Sequence, residues 1–159
     1  MINLDILLVI VIIRPGFLTI TFNEVNITMN NLEKGRQYLE ENKNKHGVKT
    51  TTSGLQYQVI VEGSGSKPSS SDTVTVHYTG RHIDGKVFDS SVERGTPATF
   101  PLSNVIPGWT EGVRLMGVGS KYKFFIPSEL GYGANGAGGI IGPNEALIFD
   151  VELISIEGK

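Results

Sequence analysis

Residues 74–91 read VTVHYTGRHIDGKVFDSS. Val74, Val76 and Tyr78 alternate with Thr75, His77 and Thr79, the period of two expected of a strand with one face buried. Asp84-Gly85 predicts a two-residue hairpin turn of type I′, which needs positive φ at both central residues. Phe88 and Asp89 follow on the return strand. The stretch therefore presents two aromatics and a carboxylate close together, and Tyr78, Phe88 and Asp89 are expected to line one apolar cavity that the rest of the chain completes.

Beyond the hairpin, Pro97 and Pro101 confine residues 96–102 to a short extended piece at a sheet edge. Residues 106–117 form the one convincing helix of this region. Pro107 suits its first turn, and Trp109, Gly112, Val113 and Met116 recur at helical spacing as a single apolar stripe. Residues 121–126 and 146–156 are strands, with Tyr122, Phe124 and Ile126, then Leu147, Phe149, Val151 and Leu153, facing the core. Between them, residues 129–144 are a glycine-rich loop. Before the hairpin, LQYQVIV at 55–61 is a strand and residues 66–72 a polar surface loop. The pattern gives an α+β architecture: an antiparallel sheet of about five strands wrapped around one short helix.

Toward the N-terminus, residues 30–46 read as a helix capped by Asn30 or Asn31 and ended by Gly47. Its apolar residues are few (Leu32, Tyr38 and Leu39), which suits either a mostly solvated helix or one packed on a partner. Residues 48–53 read as a polar connector. Residues 6–13 are an unbroken apolar run stopped by Arg14-Pro15-Gly16, too short to span a bilayer comfortably. They have the length of a signal-peptide core but carry Asp5 where a positive charge is expected, so a signal or anchor and an incidental extension both stay open. The chain thus divides into an irregular apolar extension (1–29), a linker helix with its connector (30–52) and a compact domain (53–159).

Composition narrows the function. The 159 residues suffice for one domain with a real core plus an appendage, and the net charge of −2 comes with no basic stripe, which excludes a nucleic-acid surface. Cysteine is absent, so there are no disulfides and no thiolate metal sites. The three histidines, His46, His77 and His82, share no helix face and predict no metal site. Gly131-Tyr-Gly-Ala-Asn-Gly136 matches GxGxxG, but Ala137-Gly138-Gly139 and Gly142-Pro143 forbid the helix that a dinucleotide site requires. The aromatics Tyr78, Phe88, Phe100, Trp109, Tyr122, Tyr132 and Phe149 fit either a plain core or the lining of a ligand pocket. Asp89 beside Phe88, and Tyr132 at a loop end, argue for the pocket.

Three segments in order, VTVHYTGRHIDGKVFDSS, VIPGWTEGVRLMGVGSKYKFFIP and YGANGAGGIIGPNEALIFDVEL, resemble the FKBP-type peptidyl-prolyl cis-trans isomerases, and the likeness runs over residues 54–156. LEENKNKHGVKTTTSGLQY resembles the linker helix of the bacterial branch that includes the Mip and FkpA-like proteins. The resemblance implies an isomerase of Xaa–Pro bonds without metal or cofactor. It implies catalytic roles for Asp89, Tyr132 and Tyr78, and a substrate and macrolide pocket of Phe88, Phe100, Val105, Ile106, Trp109, Ile140, Ile141 and Phe149. The backbone N–H of Ile106 would meet a ligand carbonyl. Ala98 and Ala137 stand where relatives often carry an aromatic and a histidine, which would widen the rim. Implied partners are proline-containing polypeptides, macrolide inhibitors and a second copy docked through the N-terminal helix. The branch favours the cell envelope, with the cytoplasm as the alternative. The rival function is a chaperone module that holds proline-containing segments with little catalysis.

Overall fold

The structure is a computed structural model that describes residues 29–159. The apolar run at residues 6–13 lies outside the described residues. Helix α1 (Asn31–Asn42) precedes strands β1 (Val48–Thr50), β2 (Gln56–Val61), β3 (Thr73–His82) and β4 (Val87–Ser90). A short helix α2 (Ser91–Arg94), strand β5 (Ala98–Pro101), helix α3 (Pro107–Val113) and strands β6 (Lys121–Ile126) and β7 (Leu147–Ile156) follow. The strands form one antiparallel sheet in the order β1-β2-β6-β7-β3-β4, with β5 pairing β3 as well. The α+β fold is as expected, but the sheet has seven strands rather than about five. The added strand β1 is three residues with no apolar face. Backbone pairing of Val48, Lys49 and Thr50 with β2 makes it a strand, and no side-chain pattern announces it.

Strand β3 is the spine of the sheet. Its burial alternates as its sequence predicts, with Val74 and Val76 fully buried and Tyr78 nearly so. It pairs with β7 along one edge, and with β5 and then β4 along the other. The inward faces of β6 and β7 meet the α3 stripe, so Trp109, Val113, Met116, Phe124, Ile126, Leu147, Phe149, Val151 and Leu153 form one core. The regular helix ends at Val113 rather than at Gly117, but turn hydrogen bonds from Leu115 and Met116 keep Met116 on the stripe.

Two turns differ from expectation. The hairpin after β3 is a three-residue loop: the Gly85 N–H donates to the His82 carbonyl, the His82 N–H donates to Lys86, and only Gly85 has positive φ. Asp84 keeps ordinary backbone geometry, so the turn closes through a left-handed glycine at its third position instead of as type I′. The type I′ arrangement occurs instead at Gly138-Gly139, both at positive φ, between the paired Ala137 and Ile141.

Helix α1 begins as expected, with Asn30 and Glu33 forming a reciprocal capping box. It ends at Asn42, not near Gly47, where i→i−3 turn hydrogen bonds from Asn44 and Lys45 replace the helical pattern, and the Asn42 side chain donates to Gln56 Oε1 at 2.9 Å. The helix lies on the outer face of the sheet. Tyr38 meets Phe125 with ring centroids 6.3 Å apart, Gly35 sits against Ala146, and Gln56 donates to the Leu39 carbonyl at 2.8 Å. Its fully buried residues are Gly35 and Asn42, and its few apolar side chains, Leu32, Tyr38 and Leu39, are half-buried, so contact combines close approach, hydrogen bonding and a sparse apolar face.

Candidate functional site: an aromatic cavity over α3

A cavity of about 290 Å³ opens between β3, β4, β5 and the start of α3. It is lined by Tyr78, Phe88, Asp89, Phe100, Asn104, Val105, Ile106, Trp109, Tyr132 and Phe149. Each wall has a local cause. Tyr78 and Phe149 face inward through strand alternation. Phe88 and Asp89 are neighbours that a regular strand would point to opposite faces. Here Gly80 pairs with Asp89 and Arg81 with Val87, so Phe88 is the extra residue of a bulge. A bulge sets two residues of one strand against one of its partner, which turns both side chains to the cavity. Trp109 forms the floor because Pro107 starts α3 directly beneath the rim residues Val105 and Ile106.

The rings hold one another edge to face. Trp109 meets Tyr78, Phe100 and Phe149 with centroids 5.3, 5.8 and 5.4 Å apart and interplanar angles of 84°, 88° and 87°. Phe88 stands edge-on to Phe149 at 5.6 Å. Such contacts favour the positive edge of one ring over the negative face of the next.

One polar cluster breaks the apolar lining. The Tyr78 hydroxyl donates to Asp89 Oδ2, Arg94 Nη1 donates to Asp89 Oδ1, and Arg94 Nη2 donates to the Tyr78 oxygen at 3.1 Å. Burial opposes ionisation of Asp89, but the hydrogen bonds from Tyr78 and Arg94 outweigh it and hold the carboxyl below its usual range. Burial raises the Tyr78 hydroxyl, and its bond to Asp89 adds to the rise. Tyr132 is also raised, by burial and then by the Asp89 charge. Both Asp89 oxygens are therefore engaged within the protein. The Ile106 N–H and the Tyr132 hydroxyl, by contrast, have no intramolecular acceptor among the described residues.

A profile of the FKBP-type peptidyl-prolyl cis-trans isomerase matches residues 64–154, and a profile of the domain amino-terminal to it matches residues 22–59. FkpA of Aeromonas hydrophila is 63% identical over 127 residues, which are 80% of this chain and 47% of that protein. Mip of Coxiella burnetii is 55% identical over 129 residues, 81% of this chain and 56% of that one. The crystal structure of FkpA from Escherichia coli aligns with a TM-score of 0.77 at 51% identity, covering 79% of this chain and 59% of that chain. The chain belongs to the FKBP-type peptidyl-prolyl cis-trans isomerases. It spans about half the length of the curated relatives it matches.

In this FKBP-type chain the expected site residues come together with two exceptions. Ile140 and Ile141 do not line the cavity. The tight Gly138-Gly139 turn sends the two neighbours to opposite sides, leaving Ile140 60% exposed at the loop tip and burying Ile141 in the core. Ala98 and Ala137 pack against the core instead of lining the cavity. Two residues were missed. Asn104 precedes the rim pair in the chain and lines the cavity beside it. Arg94 lies on α2, whose signal was present in SSVERG: Ser90 caps the Glu93 N–H and Gly95 ends the turn in the left-handed region. Among the described residues no cluster of side chains could hold a metal ion, and no helix is long and apolar enough to cross a membrane.

Proposed function

We propose that the chain accelerates cis-trans isomerisation of Xaa–Pro bonds in polypeptides by binding the proline in this cavity. The observation that supports this is the combination of an aromatic box over Trp109 with a carboxylate whose oxygens are both occupied. An Xaa–Pro amide resists rotation because resonance must be broken, a barrier of about 18–20 kcal/mol. In the twisted transition state that resonance is lost and the amide is less dipolar. An apolar, water-poor cavity therefore disfavours the planar ground state more than the twisted one, and this differential lowers the barrier. Each tenfold acceleration requires about 1.4 kcal/mol of it. The proline ring rests on Trp109 between Tyr78, Phe88 and Phe149. The Ile106 N–H and the Tyr132 hydroxyl hold the flanking carbonyls. Asp89, already paired, fixes the Tyr78 ring and hydroxyl and acts neither as nucleophile nor as base.

Isomerisation of short Xaa–Pro peptides, with and without a macrolide, tests this reading. Acceleration abolished by the macrolide is expected. A folded sample without acceleration that still binds proline-containing peptides would favour the holding module. A pH profile tests the electrostatics. Asp89 is depressed, so its network contributes above the ordinary carboxylate range and is lost only as pH falls through a lower value. Tyr78 and Tyr132 are raised and stay protonated into alkali. We expect kcat/KM to be flat from about pH 5 to about 9 and to fall in stronger acid. An inflection inside that window would contradict the assignment. A second copy, if it binds through α1, must use the exposed face, since Gly35 and Asn42 are turned to the chain's own sheet.

A further inference from the structure

The loop that carries Tyr132 has little regular structure of its own. Its ends are tied by the Asn144 N–H donating to the Gly133 carbonyl at 2.9 Å. Its return limb is tied locally by Glu145, three residues on, whose Oε2 accepts from the Gly142 N–H. The other oxygen of the same carboxylate, Oε1, lies 2.8 Å from Nδ1 of His82, the last residue of β3. The His82 ring stands edge-on to Phe88 with centroids 5.2 Å apart at 63°. Both side chains are mostly buried, at 16% exposure for His82 and 20% for Glu145. From α1, Asn31 donates to the Pro143 carbonyl at 2.9 Å, one residue from the Gly142 contact. One carboxylate thus joins two walls of the cavity that come from distant parts of the chain: the bulged Phe88 and the Tyr132 loop.

We propose that Glu145 and His82 are a pair of positioning residues that set the Tyr132 loop against the Phe88 wall. The proposal rests on the isomerase reading above. Neither residue lines the cavity; both act through residues that do. A buried carboxylate that accepts from a backbone N–H and from a ring N–H has its direction set by both, so the loop and the ring cannot move independently. His82 can donate from Nδ1 as the neutral tautomer or as the imidazolium. A carboxylate only accepts, so Nδ1 carries the proton in this contact.

The test uses the full chain with the substitutions Glu145→Ala, Glu145→Gln and His82→Ala and the double alanine variant. The readouts are kcat/KM on an Xaa–Pro peptide, the Kd of a macrolide and the NMR shift of the Gly142 amide proton. Glu145→Ala should lower kcat/KM about five- to twentyfold, because small misplacements of positioned groups carry large rate penalties. It should weaken the macrolide by a similar factor and move the Gly142 resonance. Glu145→Gln, whose side-chain oxygen can still accept from Gly142, should recover most of the loss. The double variant should be no worse than Glu145→Ala within about twofold, because members of one unit are non-additive. A folded Glu145→Ala protein with wild-type kcat/KM and a shifted Gly142 resonance overturns the proposal. If that variant does not fold, wild-type kcat/KM in His82→Ala overturns it instead. A wild-type chain that binds the macrolide without isomerase activity counts against the isomerase reading alone, and the macrolide Kd series then decides on the pair.

Discussion

Trp109→Ala should abolish measurable acceleration, lowering kcat/KM by at least about a hundredfold, and should destabilise the fold by about 3–5 kcal/mol. The two losses share one cause. Trp109 is only 4% exposed, and its ring is the common partner of Tyr78, Phe100 and Phe149, all within 5.8 Å by centroid. Each edge-to-face contact is worth about 0.5–1.5 kcal/mol beyond the area it buries. Removing the indole leaves a hole under the cavity that Tyr78 and Phe149 fill only in part, and water enters where the proline ring would sit. Desolvation is the proposed source of catalysis, so a wet floor removes the difference between ground and transition states as well as the binding surface. Trp109→Phe separates the components, since it keeps an apolar floor of reduced size. It should lose activity by a smaller factor than alanine and most of the stability loss should be restored, as judged by thermal unfolding beside the peptide assay. Wild-type activity in a folded Trp109→Ala protein would be incompatible with the proposed mechanism.

Legibility from sequence followed the physics of each element. Strands β3, β6 and β7 and the α3 stripe were readable because one face of each is buried, and burial on one face writes a period into the sequence. Strand β1 was not, because a three-residue strand held by backbone pairing needs no pattern. Helix α1 was legible as a helix through its capping residues. Its docking was legible only in part: Leu32, Tyr38 and Leu39 are half-buried, but Gly35 and Asn42, the fully buried residues of the contact, are ones that no apolar template selects. The inward direction of Tyr78, Trp109 and Phe149 also followed from periodicity, but the same periodicity fits a solid core. Choosing the cavity required Asp89 and the family resemblance. The bulge that turns Phe88 and Asp89 together is a property of pairing with β3 and has no local signature. Arg94 escaped because a four-residue helix is too short to show periodicity, although its caps were present. The resemblance implies Ile140 and Ile141 as a pair, but they follow the Gly138-Gly139 turn in succession, and only Ile141 is drawn into the core by pairing with Ala137.

Gly80→Val should lower kcat/KM by more than about tenfold and the unfolding temperature by roughly 5–10 °C, the size expected of about 1–3 kcal/mol of overpacking. Gly80 occupies the inward position of β3 after Tyr78. A Cβ there would lie 2.6 Å from Phe88 Cζ and 2.8 Å from Phe149 Cε1. The backbone itself tolerates a side chain, since Gly80 is not among the glycines at positive φ, so the cost is one of space and not of conformation. The strand cannot retreat. Gly80 pairs with Asp89 on one side and Phe149 on the other, and both partners carry walls of the same cavity. The rings must therefore move, and the nearest free volume is the cavity. Valine at this position would push Phe88 and Phe149 into the space proposed for the proline ring while leaving every polar group of the site unaltered. Gly80→Ala should show the same defects in smaller degree. The pair of variants therefore measures shape alone: affinity for a macrolide should fall in step with kcat/KM, and the pH profile should stay flat. Retained affinity with lost turnover would show instead that Phe88 and Phe149 act on the twisted amide by more than filling space, and normal values for both would mean that the rings can move without closing the site.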